Sequence, residues 1–151
     1  MSASSAPNAP AAECLAACLP PRPVAVLVCG DRNWTDGGLV ARVLASLPPV
    51  ALVIHGGCRG ADSLGGWAAR GQGIPVRIFR AEWEREGRAA GPLRNQRMLD
   101  EGRPDLVLAF HDDIASSRGT ADMIRRSLAA GVQVRLVSHL GIQDLSAAPI
   151  P

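Results

Sequence analysis

Five short apolar runs constrain the fold of this chain more than any other feature of its sequence. They cover residues 24–29, 50–55, 75–79, 105–110 and 132–137. Runs of this length without polar alternation are typical of strands that are covered on both faces. Segments with helical spacing lie between them, at residues 37–47, 61–70, 92–101 and 119–130. The alternation predicts an α/β fold, a Rossmann-like three-layer domain with a mainly parallel five-stranded sheet and right-handed crossovers.

Length and composition fit a single folded domain with a tail at each end. The chain has 151 residues, 47% of them hydrophobic, and no apolar run is long enough to cross a membrane. Residues 1–23, rich in Ala, Pro and Ser, predict a disordered tail, residues 24–138 the folded domain, and residues 139–151 a short C-terminal tail. Residues 1–14 lack the basic and apolar regions of an export signal, so we expect a cytoplasmic protein without a membrane partner.

The charged residues and the cysteines exclude several kinds of chemistry. All sixteen basic residues are arginines, which excludes a Schiff-base lysine and the lysine of a P-loop. The net charge of +2 is weak for a duplex-DNA-binding protein. The four cysteines have the spacing neither of a disulfide framework nor of paired zinc-binding motifs. A metal site of His55, Cys58 and His111 has no recognised ligand spacing, so we expect no metal and no cofactor.

The first candidate for ligand binding is the stretch 50–62, an apolar strand that runs into a glycine-rich turn and a helix start. Gly56, Gly57 and Gly60 lack a Cβ atom where the backbone would approach a ligand, and a helix start favours anions. The turn is neither a Walker A loop nor a GxGxxG dinucleotide motif. Two interpretations of Asp62 stay open, a favourable interaction with the helix dipole and an acceptor for a ribose hydroxyl.

The second candidate is the polar loop that follows the first strand. It begins at Gly30 and contains Arg32 and Trp34. Arg32 meeting a phosphate while a base stacks on Trp34 is one interpretation, and Trp34 packing into the core with Arg32 in solvent is the other. Asp31 and Asp36 are interpreted as turn or helix-cap residues.

Two further segments carry residues suited to anions. Arg94 and Arg97 lie three residues apart on a predicted helix, where they would grip a phosphate or pair with Asp100 or Glu101. Small residues open the last helix and form a second potential anion site, in which a capping role is the alternative for the threonine. This second group is Ser117, Gly119 and Thr120.

The predicted topology brings these segments together. Ligands of open parallel sheets bind beyond the carboxyl ends of the strands. The loops 30–36, 56–60, 82–91 and 111–120 should therefore share one rim. The third of these loops is expected to be irregular, with Trp83 as its apolar anchor.

Four segments together resemble the YspA- and YpsA-related branch of the SLOG superfamily. They are residues 26–32, 56–62, 91–98 and 117–120, and the resemblance covers about residues 24–137. It implies a Rossmann-like domain that binds nucleotides or nucleotide-derived ligands, in a superfamily that includes the Lonely Guy phosphoribohydrolases and DprA. The expected ligand-binding residues are Gly30, Asp31, Arg32, Gly56, Gly57, Arg59, Gly60, Asp62, Arg94, Asn95, Ser117, Gly119 and Thr120.

The chain departs from the enzymatic members of that superfamily, which carry RKxxM and PGGxGTxxE motifs. Asn95 replaces the lysine of the first motif, and residues 115–117 replace the Pro-Gly-Gly run of the second. Met123 stands at the glutamate position, and Asp122, the nearest carboxylate, comes one residue earlier. One residue on a helix turns a side chain by about 100 degrees, so Asp122 is a catalytic candidate only in a changed geometry.

Three functions are compatible with this resemblance. The favoured one is a sensor or carrier that binds a nucleotide-derived small molecule, with phosphate at both helix starts and Arg94 as a charge clamp. An alternative is a phosphoribohydrolase-like enzyme that cleaves an N-glycosidic bond and uses Asp62, Asp112 or Asp122. DprA-like binding of single-stranded DNA is a further alternative, disfavoured by the few aromatic residues. Exposed helices could form a homodimer, as in similar proteins.

Overall fold

The apolar runs pair into one sheet in the computed structural model, which describes residues 19–146. Its strands are β1 Val24–Gly30, β2 Val50–His55, β3 Val76–Ile78, β4 Leu106–Phe110, β5 Gln133–Ser138 and β6 Gly141–Leu145. The spatial order is β3-β2-β1-β4-β5-β6, and the first five strands are parallel. Residues 1–18, most of the predicted N-terminal tail, and residues 147–151 lie outside the described residues.

Helices cover both faces of the sheet, as the buried strands require. They are α1 Gly37–Ala45, α2 Ala61–Gly71, α3 Trp83–Glu86, α4 Ala90–Asp100 and α5 Arg118–Ala129, with 3₁₀ turns at Gly87–Ala89 and Ile114–Ser116. Helices α1 and α2 pack with Val26 and Val28 on one face, and α4 and α5 pack with Leu27 on the other. The Rossmann-like three-layer α/β fold is therefore confirmed. No helix within residues 19–146 has the length and apolar character to cross a membrane.

The sheet has one strand more than predicted, because β6 lies in the segment expected to be a C-terminal tail. It pairs antiparallel with β5, and a salt bridge of 2.7 Å joins Arg135 to Asp144 across the two strands. Most of β6 is exposed, including Ile142 at 53%. An exposed edge strand needs no continuous apolar run, which is why the hydrophobic pattern does not reveal it.

The segment 81–91 also differs from its prediction. It is organised as α3 and the following 3₁₀ turn rather than as an irregular loop, and neither element contains a buried residue. Trp83 is 52% exposed. The expectation that Trp83 anchors this segment in the core is therefore wrong.

The strand order fixes where a ligand can lie. The chain moves outward from β1 through β2 to β3 and then returns to place β4 on the other side of β1. The loops that follow β1 and β4 therefore leave in opposite directions. Such a point of reversal opens a crevice at the carboxyl ends of the strands.

Candidate functional site

A cavity of about 1000 Å³ occupies this crevice. All four loops predicted to share a rim contribute to its wall, together with residues of α4 and α5. The wall carries three aspartates, Asp31, Asp62 and Asp122. It also carries six arginines, namely Arg32, Arg59, Arg88, Arg94, Arg118 and Arg125. The excess of guanidinium groups makes the cavity a favourable environment for an anion.

Most of the residues predicted to bind a ligand line this cavity. They are Gly30, Asp31, Arg32, Arg59, Asp62, Arg94, Asn95, Ser117, Gly119 and Thr120, and the catalytic candidate Asp122 joins them. Three of the predicted residues, Gly56, Gly57 and Gly60, do not line it. The glycine-rich turn therefore contributes mainly its side chains to the wall.

The glycine-rich turn uses its amide groups within the protein. The Asp62 carboxylate accepts hydrogen bonds from the Gly56 amide at 2.9 Å and the Cys58 amide at 3.3 Å. The Gly57 amide donates to Nδ1 of His55 at 3.0 Å. Since an amide hydrogen already engaged by the protein is poorly available to a ligand, these three groups do not form a ready anion site.

The glycines of this turn are required by protein packing. Gly60 has a φ of +78°, and a Cβ atom there would overlap the backbone of Asp31 and Arg32. A Cβ atom at Gly56 would collide with the guanidinium of Arg94 and with the Asp62 carboxylate. The missing Cβ atoms thus accommodate neighbouring loops, and this corrects the interpretation that they make room for a ligand.

Arg94 holds the glycine-rich turn from α4. It is 8% exposed, and its Nη1 donates to the Gly56 carbonyl at 2.6 Å while its Nε donates to the Asn95 amide oxygen at 3.2 Å. Arg97 instead reaches the Arg80 carbonyl at 2.9 Å. The expected pairing of these arginines with Asp100 or Glu101 is wrong, and the two do not form a joint phosphate grip, because only Arg94 lines the cavity.

Asp62 is a buried carboxyl group with 6% exposure. Burial raises its pKa to about 6, although the Cys58 and Gly56 amides and the charge of Arg94 favour the ionised form. Asp62 lies in the first turn of α2, as the helix-dipole interpretation expects, and the ribose-acceptor interpretation stays a prediction. Its dominant contacts are the amides of the turn that precedes the helix, so Asp62 fixes the shape of that turn.

Asn95 connects α4 to the start of α5. Its side-chain amide donates to the Gly119 carbonyl at 3.3 Å and to the Asp122 carboxylate at 3.0 Å. Since Arg94 donates to the oxygen of the same side chain, a continuous set of hydrogen bonds joins the glycine-rich turn to α5. The two helix starts are parts of one rigid wall.

Asp122 is occupied by protein donors. Besides Asn95, Arg126 donates to it at 2.8 Å and Arg125 at 3.3 Å. Burial acts to raise the pKa of Asp122, but the hydrogen bonds from Asn95 and Arg126 and the charge of Arg126 outweigh it, and the pKa lies below its usual value. The carboxylate is therefore ionised, and its charge is already engaged by Arg125 and Arg126, which leaves less of it to stabilise an oxocarbenium-like state.

The start of α5 has a different arrangement. The Ser117 hydroxyl caps the helix by accepting from the Thr120 amide at 3.2 Å, so the expected capping role belongs to Ser117, and Thr120 is buried. Within residues 19–146, neither the Arg118 amide nor the Gly119 amide has a hydrogen-bond partner. A Cβ atom at Gly119 would meet nothing within 4 Å. This helix start is open toward the cavity.

His111 is a cavity residue that sequence reasoning considered only as a metal ligand. It follows β4 directly, is 7% exposed, and accepts a hydrogen bond from the Asp113 amide at Nδ1, 2.9 Å away. That bond places the proton of the neutral ring on Nε2, which has no partner in the described part of the chain. A polar residue at the carboxyl end of a buried strand was the available signal for it.

Trp34 belongs to the core. It is 5% exposed, its ring centroid lies 5.9 Å from that of Phe110, and it stacks on His139 at 4.5 Å with an interplanar angle of 16°. The interpretation of Trp34 as a platform for a base is therefore wrong, and the packing alternative is confirmed. The turn and cap roles are also confirmed, since Asp31 accepts from the Asn33 amide and Asp36 caps α1.

Comparison with known proteins places this site in a family. The "YspA, cpYpsA-related SLOG family" matches residues 24–85. The "Gene 61 protein" of Mycobacterium phage D29 is 38% identical over 118 residues, which cover 72% of this chain and 92% of the phage protein. The chain belongs to the YspA, cpYpsA-related SLOG family. No solved structure matches it significantly.

The matched family segment has a clear position in the structure. It begins with β1 and ends within α3, so it contains the glycine-rich turn and Asp62. The start of α5 and Asp122 lie beyond it. As a SLOG protein the chain has a nucleotide-related function, and its own geometry must indicate where a ligand is held.

The residues considered as metal ligands, His55, Cys58 and His111, do not all lie at the cavity. Cys58 and His111 line the cavity, whereas His55 does not. Within residues 19–146, no group of three His, Cys, Asp or Glu residues is arranged to hold a metal ion. Burial lowers the pKa of His55 to about 4, so this ring is neutral at neutral pH and serves to fix the Gly57 amide.

Proposed function

We propose that the cavity binds a nucleotide or a nucleotide-derived ligand, with a phosphate group at the start of α5. One observation carries this proposal: the Arg118 and Gly119 amides and Nε2 of His111, none of which has a partner in the described part of the chain, border the same cavity. Free hydrogen-bond donors that converge on one cavity favour a polar ligand there.

The electrostatics of α5 favour a phosphate over a neutral group. The helix has twelve residues, and the partial positive charge of its N-terminus is located at the free N–H groups of its first turn. Arg118 lies in the same turn and Arg125 also lines the cavity. A neutral group would accept hydrogen bonds from the amides but would gain little from their positive charge. A phosphate gains both the hydrogen bonds and the electrostatic attraction.

The size of the cavity and the family favour a nucleotide over a free anion. A cavity of about 1000 Å³ lies at the upper end of the range for small-molecule sites, about 300–1,000 Å³. Inorganic phosphate would leave most of this space unfilled. Membership of the SLOG family supports a nucleotide-derived ligand as its occupant.

Binding is better supported than N-glycosidic hydrolysis. The carboxylate nearest to the glutamate position of the enzymatic relatives, Asp122, is held by Asn95, Arg125 and Arg126. Incubation with AMP should therefore release no adenine in a chromatographic assay. Release of free base from AMP at a rate that Asp122→Asn abolishes would contradict a pure binding function.

Isothermal titration calorimetry tests the proposal with AMP, ADP-ribose and cyclic AMP as probes. We expect saturable binding of at least one probe to the wild-type protein, and Arg118→Ala should weaken it about tenfold, since a charge-assisted contact to phosphate is lost. Arg85→Ala is the matched control, because Arg85 has the same charge, lies on α3 and does not line the cavity. Absence of saturable binding for all three probes, or equal effects of the two variants, would overturn the proposal.

A further inference from the structure

Trp83 is an exposed aromatic side chain at the edge of the cavity. Its side chain is 52% exposed. Within the described part of the chain, no other Trp, Tyr or Phe lines the cavity, since the remaining lining residues are polar, aliphatic or small. A large apolar ring left in contact with water is unfavourable in the free protein. Core packing therefore does not explain why it stands there.

The element that carries Trp83 is attached to the domain through few contacts. Arg97 holds it from α4, by a hydrogen bond of 2.9 Å to the Arg80 carbonyl and an ion pair of 3.6 Å with Glu86. At the start of α4, a Cβ atom built on Gly91 would lie 3.5 Å from Cη2 of Trp83. The ring edge thus rests on α4, and about half of the side chain stays open.

The remaining wall offers mostly charge and hydrogen-bond donors. The arginines, the free amides of α5 and Nε2 of His111 can hold phosphate and hydroxyl groups. Among the lining residues, Trp83 offers the largest flat apolar surface, which is the kind of surface on which a nucleobase stacks best. Aromatic side chains supply such a surface and stack on a base of any sequence.

We propose that Trp83 stacks on the nucleobase of a ligand whose phosphate lies at the start of α5. This inference rests on the proposed function and adds to it that the site selects nucleotides over phosphorylated sugars. Arg88 also lines the cavity, from the 3₁₀ turn that follows α3, and its guanidinium would contact the edge of the stacked base. Trp34, the aromatic residue that the sequence suggested for stacking, is unavailable because it is buried.

Calorimetry with AMP and ribose 5-phosphate as paired probes tests this inference, since the two differ by the base. Trp83→Leu should weaken AMP binding about tenfold to a hundredfold, because stacking of one base is lost. Binding of ribose 5-phosphate should not change, and Trp83→Phe should retain part of the AMP affinity. Trp67→Leu is the matched control, because Trp67 is 64% exposed on α2 and does not line the cavity.

The outcomes separate this inference from the proposed function. If wild-type protein binds AMP and ribose 5-phosphate equally and Trp83→Leu changes neither, the stacking role is overturned and the phosphate site stands. If Trp83→Leu lowered the affinity for AMP and for ribose 5-phosphate equally, Trp83 would have a structural role, and the stacking role would be overturned. A changed oligomeric state of this variant in gel filtration would overturn it as well, because Trp83 would then belong to a subunit contact. Failure of the wild-type protein to bind AMP, ribose 5-phosphate, ADP-ribose and cyclic AMP would overturn both proposals.

Discussion

Two glycine-containing turns lead into helices at the cavity, and they use their backbone in opposite ways. In the turn after β2, the amides of Gly56, Gly57 and Cys58 bond to Asp62 and His55. At the start of α5, the amides of Arg118 and Gly119 have no partner within residues 19–146. The first turn is closed in the sense that the protein engages these three amides, although the Arg59 and Gly60 amides that follow have no partner within residues 19–146. The start of α5 is open to a ligand.

An amide without a partner marks a potential anion contact more directly than a glycine does. The first turn carries three glycines within five positions, yet its glycines face Arg94, Asp62 and the loop after β1. The second turn carries one glycine, and its Cβ position is empty space. A glycine indicates close approach of something to the backbone, which is as often protein as ligand.

The largest expected effect separates the two turns by a matched pair of alanine substitutions. Gly60→Ala should lower the free energy of unfolding by about 3–5 kcal/mol, because it forces a side chain onto a positive φ and into the backbone of Asp31 and Arg32. Gly119→Ala should change it by less than about 1 kcal/mol, toward higher stability. Urea unfolding measures both, and equal losses would break the comparison.

Removal of the Arg94 side chain comes next in size. Arg94→Ala leaves the buried Gly56 carbonyl without its donor, and we expect a loss of about 2–3 kcal/mol in unfolding free energy. Arg97→Ala, the control on the same helix, should cost less than about 1 kcal/mol, since Arg97 is only partly buried. A stable Arg94→Ala protein with impaired AMP binding would instead make Arg94 primarily a ligand contact.

The closed turn should also show itself in the pH dependence of stability. The pKa of Asp62 is raised to about 6 in the folded state, so its contribution is fully present below about pH 4 and is lost as the pH rises through 6. The shift corresponds to about 2–3 kcal/mol. His55 acts in the opposite direction, because its pKa is lowered to about 4 and its contribution is lost as the pH falls from 6.5 to 4.

Asp62→Asn isolates the first of these two terms. Because the amide oxygen can still accept a hydrogen bond, the turn is kept while the titration is removed. From pH 4 to 6.5, the stability of the variant should rise more steeply than that of the wild type. Parallel curves from urea unfolding at several pH values would show that Asp62 is not the buried acid of a closed turn.

The smallest expected effect on stability comes from His139, which contacts neither of the two turns. His139 contacts Asp112 at 2.8 Å and Asp36 at 3.1 Å. The hydrogen bond with Asp112 is the largest cause of its raised pKa; burial opposes the rise, and the hydrogen bond with Asp36 adds to it. The contribution of His139 is therefore fully present below the ordinary histidine pKa of about 6.5 and is lost as the pH rises through the raised value. His139→Gln should remove this slope in thermal unfolding scans without changing AMP affinity, and an affinity change would extend the site to this rim.

The sequence predicted the fold and the shared rim because both depend on local patterns. Continuous apolar runs and short connections identify parallel strands, and the strand ends then fix which loops meet. The pattern did not reveal β6, whose exposed residues need no apolar run. It also could not show that Trp34 is buried and Trp83 exposed, because burial of Trp34 depends on Phe110 and His139, far along the chain.

The contacts of the two turns were likewise beyond the sequence. The Gly56 carbonyl accepts from Arg94, which lies 38 residues further along the chain. Spacing along the chain places both residues at the cavity but does not reveal that they bond to each other. Thr120 was the residue considered as a cap of α5, and only the fold shows that Ser117 takes that role.

Backbone amide chemical shifts distinguish a phosphate at the start of α5 from one at the glycine-rich turn. We would titrate ¹⁵N-labelled protein with AMP and follow the amides of both turns by NMR, since each of these residues gives its own resonance. We expect the largest shifts at Arg118 and Gly119, because their N–H groups gain a phosphate acceptor, and small shifts at Gly56, Gly57 and Cys58, whose acceptors are already in place. Large shifts confined to the glycine-rich turn, with α5 unperturbed, would contradict this expectation.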